Sequence, residues 1–301
     1  MTAEICHKMN DVQDWIVACK ASELKKTPKR MQLEGKHIVL FRDSMGAARA
    51  LMDRCPFESA EEDLLKCAYH GWCVKGDGLS MQIPNLINGI THFETLEHAG
   101  LIFINLYRLK NKPKALDCLS KDQYASFITH QTIDADEVDI LERALDPFLM
   151  FQNWKKKVVN VNVRISKDLM EADYFSYGNW LTKTTARFVF PNVFQLSYET
   201  RREDHLLITG FLTRRNSTHV DVWRIVQYKG FLPISLVKWA LKNRMSISPN
   251  QNRTILEKEN YLGFPLRHRL NGHDIKEHVY QVKRFMTKDW TFSLKRSLEK
   301  V

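Results

Sequence analysis

Short apolar runs set off by turn signals dominate the first third of the chain. WIVAC (15–19), HIVLFRD (37–43), LLKCAYH (64–70) and GLIFINLY (100–107) are rich in β-branched and aromatic residues, and each is expected to form a strand. Asp-Ser-Met-Gly at 43–46 and Lys-Gly-Asp-Gly at 75–78 mark turns between them. Many short strands joined by turns predict a small antiparallel barrel or sandwich. LKNKPKALDCLSKDQ (109–123) then turns polar and lysine-rich, as a crossing between domains would.

Beyond that crossing the pattern is mixed. KVVNVNVRI (157–165) alternates with a period of two and predicts a half-buried strand. ARFVFPNVFQLSY (186–198), DHLLITGFLT (204–213) and THVDVWRIVQY (218–228) predict further strands of one antiparallel sheet. Between Pro233 and Met245 the apolar residues Leu236, Val237, Ala240 and Leu241 recur at helical spacing, and Ile275–Met286 is a candidate closing helix. The expected class is α+β: a small antiparallel β domain, then a larger antiparallel sheet with flanking helices.

Composition narrows the class without naming a chemistry. The chain has 301 residues, and its 44% hydrophobic and 27% charged content is that of a soluble globular protein. No apolar run is long enough to span a bilayer, and the first residues show no leader pattern, so a cytoplasmic protein is expected. The net charge of +10 is spread along the chain and forms no tract that would mark a nucleic-acid surface. Six scattered cysteines (6, 19, 55, 67, 73 and 118) are expected as thiols or ligands, not as a disulfide scaffold.

DWIVACKASEL, LEGKHIVLFRDSMGAARALMDRCP, CAYHGWCVKGDGLSMQIPN and EHAGLIFINL, taken in order, resemble the Rieske domain of Rieske non-haem iron oxygenases. LERALDPF (141–148), FPNVFQLSY (190–198) and QNRTILEKEN (251–260) resemble landmarks of that family's catalytic domain. The resemblance implies an oxygenase alpha-subunit type of chain, with a Rieske-like domain at 1–115 and a catalytic-like, helix-grip domain at 120–301. A Rieske centre is a [2Fe–2S] cluster with two cysteines on one iron and two histidines on the other. The resemblance places its ligand positions at Cys55, Phe57, Cys67 and His70. Three of these match; the first-loop histidine falls on Phe57. Only nine residues separate Phe57 from Cys67, fewer than the family usually has.

The second site of the family is a mononuclear iron held by two histidines and a carboxylate. Its ligand positions fall on Leu149, on Asn153 or Trp154, and on Asn252, none of which supplies the expected donor. No histidine lies between His130 and His205 that could replace them. Asp146 matches the carboxylate that in this family bridges subunits to the second-loop Rieske histidine, so His70 and Asp146 are expected as a subunit-bridging pair. Glu142 with Asp146, Glu171 with Asp173, and His268, His273 and His278 read as surface groups in preference to a metal site.

These readings lead to an expectation of no bound cofactor, with zinc or an iron–sulfur cluster on Cys55, Cys67, His70 and Cys73 as the lesser alternative. The first functional expectation is a degenerate oxygenase homologue in a trimer-type oligomer, serving as a stabilising partner of an active Rieske oxygenase. The second is a metal-independent isomerase or cyclase holding a hydrophobic small molecule in the former iron pocket. The third is an active oxygenase with an unusual metal site. Neither nucleic acid nor a membrane span enters any of the three.

Overall fold

The computed structural model describes residues 15–54, 57–61, 64–68, 71–79, 90–106, 119, 123–135, 140, 158–165, 169–176, 181–189, 192–216 and 218–242. It divides into two compact units, Met1–Ser120 with Leu212–Asp221, and Lys121–Phe211 with Val222–Val301. The expected α+β class holds. Antiparallel sheets carry both units, and one α-helix lies among the described residues. No helix there is long and apolar enough to cross a membrane.

In the first unit the strands are β1 (Trp15–Lys20), β2 (Lys29–Leu33), β3 (Lys36–Arg42), β4 (Ala48–Met52), β5 (Phe57–Glu61), β6 (Leu64–Cys67), β7 (Cys73–Lys75), β8 (His92–His98) and β9 (Leu101–Asn105). They form a six-stranded sheet in the order β1-β9-β8-β4-β3-β2 and a three-stranded sheet in the order β5-β6-β7. The unbroken apolar run of β3 is explained by burial on both of its faces. Ile38 and Leu40 join one core with Ile16, Ala50, Phe93 and Ile104. Val39 and Phe41 point the other way, into a second core with Leu51, Leu65, Cys67 and Val74. Cys67 is therefore held where the small sheet meets the large one.

Two-residue turns join β2 to β3 and β8 to β9. Glu34 and Gly35 have φ of 49° and 73°, and Ala99 and Gly100 have 48° and 77°. Two successive left-handed residues match the right-handed twist of the paired strands. Both expected longer turns also close: the Gly46 N–H donates to Asp43 O, and the Gly78 N–H to Lys75 O, each at 2.9 Å. Arg42 ties the unit together, donating to Leu24 O (2.8 Å), Ala21 O (2.9 Å), Gly46 O (2.7 Å) and Glu97 Oε2 (2.9 Å).

The second sheet runs β10-β16-β15-β14-β13-β12-β11. Its strands are β10 (Ala125–Asp134), β11 (Val158–Ile165), β12 (Leu169–Ser176), β13 (Leu181–Val189), β14 (Val193–Thr200), β15 (His205–Arg214) and β16 (His219–Lys229). Helix α1 (Ile234–Lys242) follows, within the 233–245 segment expected to be helical. The run ARFVFPNVFQLSY is not one strand: it turns near Asn192, and Val189 pairs with Val193 across the hairpin. The expected helix at 275–286 lies outside the described residues.

Candidate functional site

The small sheet of the first unit carries one of the two cysteine-bearing loops. Cys67 ends β6, is 1% exposed, and starts a tight return to β7. The Cys67 N–H donates to Trp72 O at 2.8 Å and the Gly71 N–H donates to Cys67 O at 2.9 Å, with Gly71 at φ 66°. A left-handed residue is needed to turn the chain this sharply, and glycine supplies it without steric cost. Cys67 is disulfide-bonded, not a free thiol; its partner lies outside the described residues.

The other sequence-predicted positions separate. Phe57 lies on β5 with its backbone in register with Cys67. Cys73 pairs with Lys66, and Val74 with Leu65. Cross-strand partners share a face, so Cys73 lies on the exposed face with Lys66 while Leu65, Cys67 and Val74 lie on the buried one. The Cys73 thiol donates instead to Gly71 O at 3.6 Å. Cys67 and Cys73 thus face apart, and the alternative Cys₃His set is not drawn together. Cys55, His70, Asp146, Leu149, Asn153, Trp154 and Asn252 lie outside the described residues. Among the described residues no group of three or more His, Cys, Asp or Glu side chains is placed to hold a metal ion.

The second unit holds a polar network that sequence reasoning missed. Glu171 and Asp173, read as surface groups, are 5% and 4% exposed. Register explains this correction: Arg164, Glu171, Arg187, Gln195 and Thr209 pair in one row across β11 to β15. Glu171 is bonded to both Arg164 and Arg187, Arg187 Nη1 donates to Gln195 Oε1 (3.2 Å), and Gln195 Nε2 donates to Thr209 Oγ1 (3.1 Å). Asp173 accepts from Thr185 Oγ1 (2.6 Å) and from Arg164 Nη2 (2.9 Å), with Lys183 Nζ 3.3 Å away. Burial pushes the Asp173 carboxyl up, but the Thr185 hydrogen bond and the Lys183 and Arg164 charges outweigh it and hold it below the usual range. On the same face Ser197 Oγ is 2.7 Å from His205 Nε2, and Tyr124 OH is 2.6 Å from His205 Nδ1. Burial and nearby Glu199 raise the Tyr124 hydroxyl, which keeps it neutral as a hydrogen-bonding group. These groups are engaged with one another, as a structural network requires.

The first unit has two antiparallel sheets with a buried cysteine hairpin, and a seven-stranded antiparallel sheet follows it in the chain. Residues 14–94 match the Rieske [2Fe-2S] domain, and part of the chain is similar to Rieske oxygenase subunits. It is 35% identical over 117 residues to the 3-chlorobenzoate-3,4-dioxygenase oxygenase subunit of Comamonas testosteroni, a match covering 33% of this chain and 27% of that protein. It is 26% identical over 161 residues to the phenoxybenzoate dioxygenase subunit alpha of Ectopseudomonas oleovorans, covering 47% and 39%. The aligned segments thus span about a quarter to two fifths of these relatives. The fold is that of dicamba monooxygenase bound to dicamba, with a TM-score of 0.68, 14% identity, and coverage of 94% of this chain and 99% of that one.

The domain match corrects the expectation that no cofactor belongs here. A Rieske [2Fe-2S] domain implies an iron–sulfur cluster, and the oxygenase relatives imply iron. The donors test that implication. Cys55, Cys67 and His70 supply, by residue type, three of the four donors of a Cys₂His₂ set. The imidazole half is one short, because phenylalanine at 57 has no lone pair to give a metal. The residues present do not complete a conventional Rieske ligand set.

Proposed function

We propose that this chain is a catalytically degenerate Rieske oxygenase homologue that stabilises an active Rieske oxygenase by assembling with it. The observation that carries this reading is Phe57. The position of the first-loop histidine is a phenylalanine whose backbone is paired with Cys67 in a β ladder. An electron-transfer centre of the Rieske type needs four protein ligands, and this chain writes three of them. The relatives support an assembly role, since they are named as an oxygenase subunit and a subunit alpha. In the family the second-loop histidine and the bridging carboxylate meet across a subunit boundary, and both residues, His70 and Asp146, are present. A histidine–carboxylate hydrogen bond can hold such a boundary without electron transfer.

The test is affinity capture of the tagged chain from its own cell, combined with iron and acid-labile sulfide analysis of the purified protein. Recovery of a second Rieske oxygenase with a complete ligand set, whose thermal half-life lengthens when this chain is added, supports the proposal. A chain captured alone that consumes dioxygen with a reductant and forms a hydroxylated product overturns it.

A further inference from the structure

Large apolar side chains stand in solvent at one end of the second sheet, where strand β16 passes into helix α1. Phe231 is 65% exposed, Leu232 37%, Leu236 46% and Trp239 74%. Helix α1 packs against β10 and buries Val237 and Leu241, which lie four residues apart. Leu236, Trp239 and Ala240, at i, i+3 and i+4, share a second face that is exposed. The helix therefore carries two apolar stripes, and its packing uses one. A single exposed leucine is ordinary, but four large apolar groups within residues 231–239 mark a surface that meets something other than water.

The display is fixed by the fold. Asp204 Oδ1, beside the β14–β15 turn, accepts from the Phe231 N–H at 3.1 Å and from the Tyr228 hydroxyl at 3.4 Å. The Tyr228 hydroxyl oxygen accepts in turn from the Leu232 N–H at 3.4 Å. Gly230 lets these groups close up, since a Cβ there would lie 2.2 Å from both Asp204 Oδ1 and the Tyr228 oxygen. The Leu236 and Val237 N–H groups then donate to Pro233 O at 3.0 Å and 3.3 Å, which starts the helix directly after the Phe-Leu pair.

Cations flank the apolar groups. On segments 200–204 and 229–242 the exposed charges are Arg201, Arg202, Lys229, Lys238 and Lys242, against one exposed carboxylate, Glu203. The Arg202 guanidinium lies 5.5 Å from the centre of the Phe231 ring, and the Lys238 ammonium lies 5.8 Å from that of Phe127 on β10. We propose that this end of the second unit is a peripheral membrane contact. Phe231, Leu232, Leu236 and Trp239 enter the interfacial layer of an anionic phospholipid bilayer, and the five cations meet its headgroups. Two observations favour lipid over a protein partner. Phe231 and Trp239 project with most of their surface in solvent, and a protein would need a matching pocket for each ring, whereas acyl chains yield to any shape. An apolar face with tryptophan, edged by lysine and arginine, is also the composition of interfacial anchors. The contact needs no spanning segment, goes beyond the assembly role and does not rest on it.

The test is co-sedimentation of the full chain with vesicles of phosphatidylcholine alone and of phosphatidylcholine with an equal amount of phosphatidylglycerol, together with light scattering of the free protein. The wild type is expected to bind the anionic vesicles at least about tenfold more tightly than the neutral ones, with a blue shift of tryptophan emission. The double variant Phe231→Ser with Trp239→Ser is expected to keep the wild-type melting temperature, since both side chains face solvent. It is expected to lose the blue shift and to bind anionic vesicles at least about tenfold more weakly. No binding to anionic vesicles, or equal binding to both compositions, would overturn the proposal. Undiminished binding by the double variant would also overturn it, as adsorption of a chain of net charge +10 by charge alone. So would a double variant that melts well below wild type, because another part of the chain would then cover the patch. A wild-type oligomer that dissociates in the double variant would overturn it in favour of a second copy as the occupant.

Discussion

Replacing Gly210 by alanine tests the register on which the second sheet depends. A Cβ at that position would lie 2.0 Å, 2.2 Å and 2.6 Å from three ring carbons of Phe194. Tolerable contact begins near 3.4 Å, so the ring must retreat by about 1.4 Å (3.4 less 2.0) or the strand must shift by that amount. Phe194 is 1% exposed, and its cross-strand neighbour Phe188 is fully buried, so little free space is on hand to receive it. Overpacking of this kind costs about 1–3 kcal/mol, and the depth of the clash puts Gly210→Ala near the upper end, at about 2–3 kcal/mol. With an m-value of roughly 2–3 kcal/mol/M for urea, the midpoint is expected to fall by about 1 M at unchanged slope. Tryptophan fluorescence would follow the transition, since Trp223 is buried on β16 of the same sheet. The double variant Gly210→Ala with Phe194→Leu should be more stable than the sum of the single effects implies, by about 1 kcal/mol or more, because the smaller side chain vacates the contested space. A Gly210→Ala protein within about 0.5 kcal/mol of wild type, or strict additivity of the pair, would refute the register.

Arg42→Met should destabilise the first unit by about 2–3 kcal/mol in denaturant unfolding, since two of its four acceptors, Leu24 O and Ala21 O, are in part-buried bonds worth about 1–1.5 kcal/mol each and the exposed pair with Glu97 adds little. Gly78→Ala should abolish soluble expression or cost the first unit several kcal/mol by thermal melting, because its Cβ would sit 1.9 Å from Ile90 O at a φ of 84°. Asp173 titrates below its ordinary value when folded, so its contribution is complete above the unfolded carboxyl pKa of about 3.9 and fades as pH falls through the lower folded value; Asp173→Asn should flatten that acid limb in a pH series of unfolding midpoints. Phe57→His alone should leave the visible spectrum of the iron- and sulfide-reconstituted protein like that of reconstituted wild type, since the new imidazole starts from a backbone paired with Cys67. A new histidine-ligated absorption pattern would contradict that reading.

The strands that were legible in the sequence carry a strong apolar pattern, such as HIVLF in β3, whose Ile38 to Phe41 are buried, and the alternating valines of β11. The strands that were not legible are polar ones. FESAE (β5) is polar at most positions and HFETLEH (β8) carries charge on exposed positions, and both pair with neighbours that no local pattern reveals. The hairpin within ARFVFPNVFQLSY was hidden for the opposite reason. Its turn signal, Pro191-Asn192, sits inside a largely apolar run, and because residues 192 to 198 are all buried the turn does not stand out as an exposed polar break. The buried ion pairs of Glu171 and Asp173 depend on strand register, with Glu171 opposite Arg187 and Asp173 opposite Thr185. Those partners lie 16 and 12 residues away in sequence, beyond the reach of any spacing argument. VDVWRIVQY carries two charges, Asp221 and Arg224, inside a run otherwise suited to burial on both faces, and both are buried. At the candidate metal site, donor identity could be read directly from the sequence. The opposed faces of Cys67 and Cys73 could not, because they follow from the pairing of Lys66 with Cys73.

The pairing of Phe57 with Cys67 also bears on how this chain could change over generations. A free loop can trade one side chain for another and test the result at once. A residue locked into a ladder beside a nine-residue return cannot, because regaining a donor there requires both a new side chain and inserted length. Either step alone meets the unaltered geometry and gives selection nothing to favour, so the short hairpin works as a ratchet. The way back to four protein donors is longer than the single codon that separates phenylalanine from histidine in the motif.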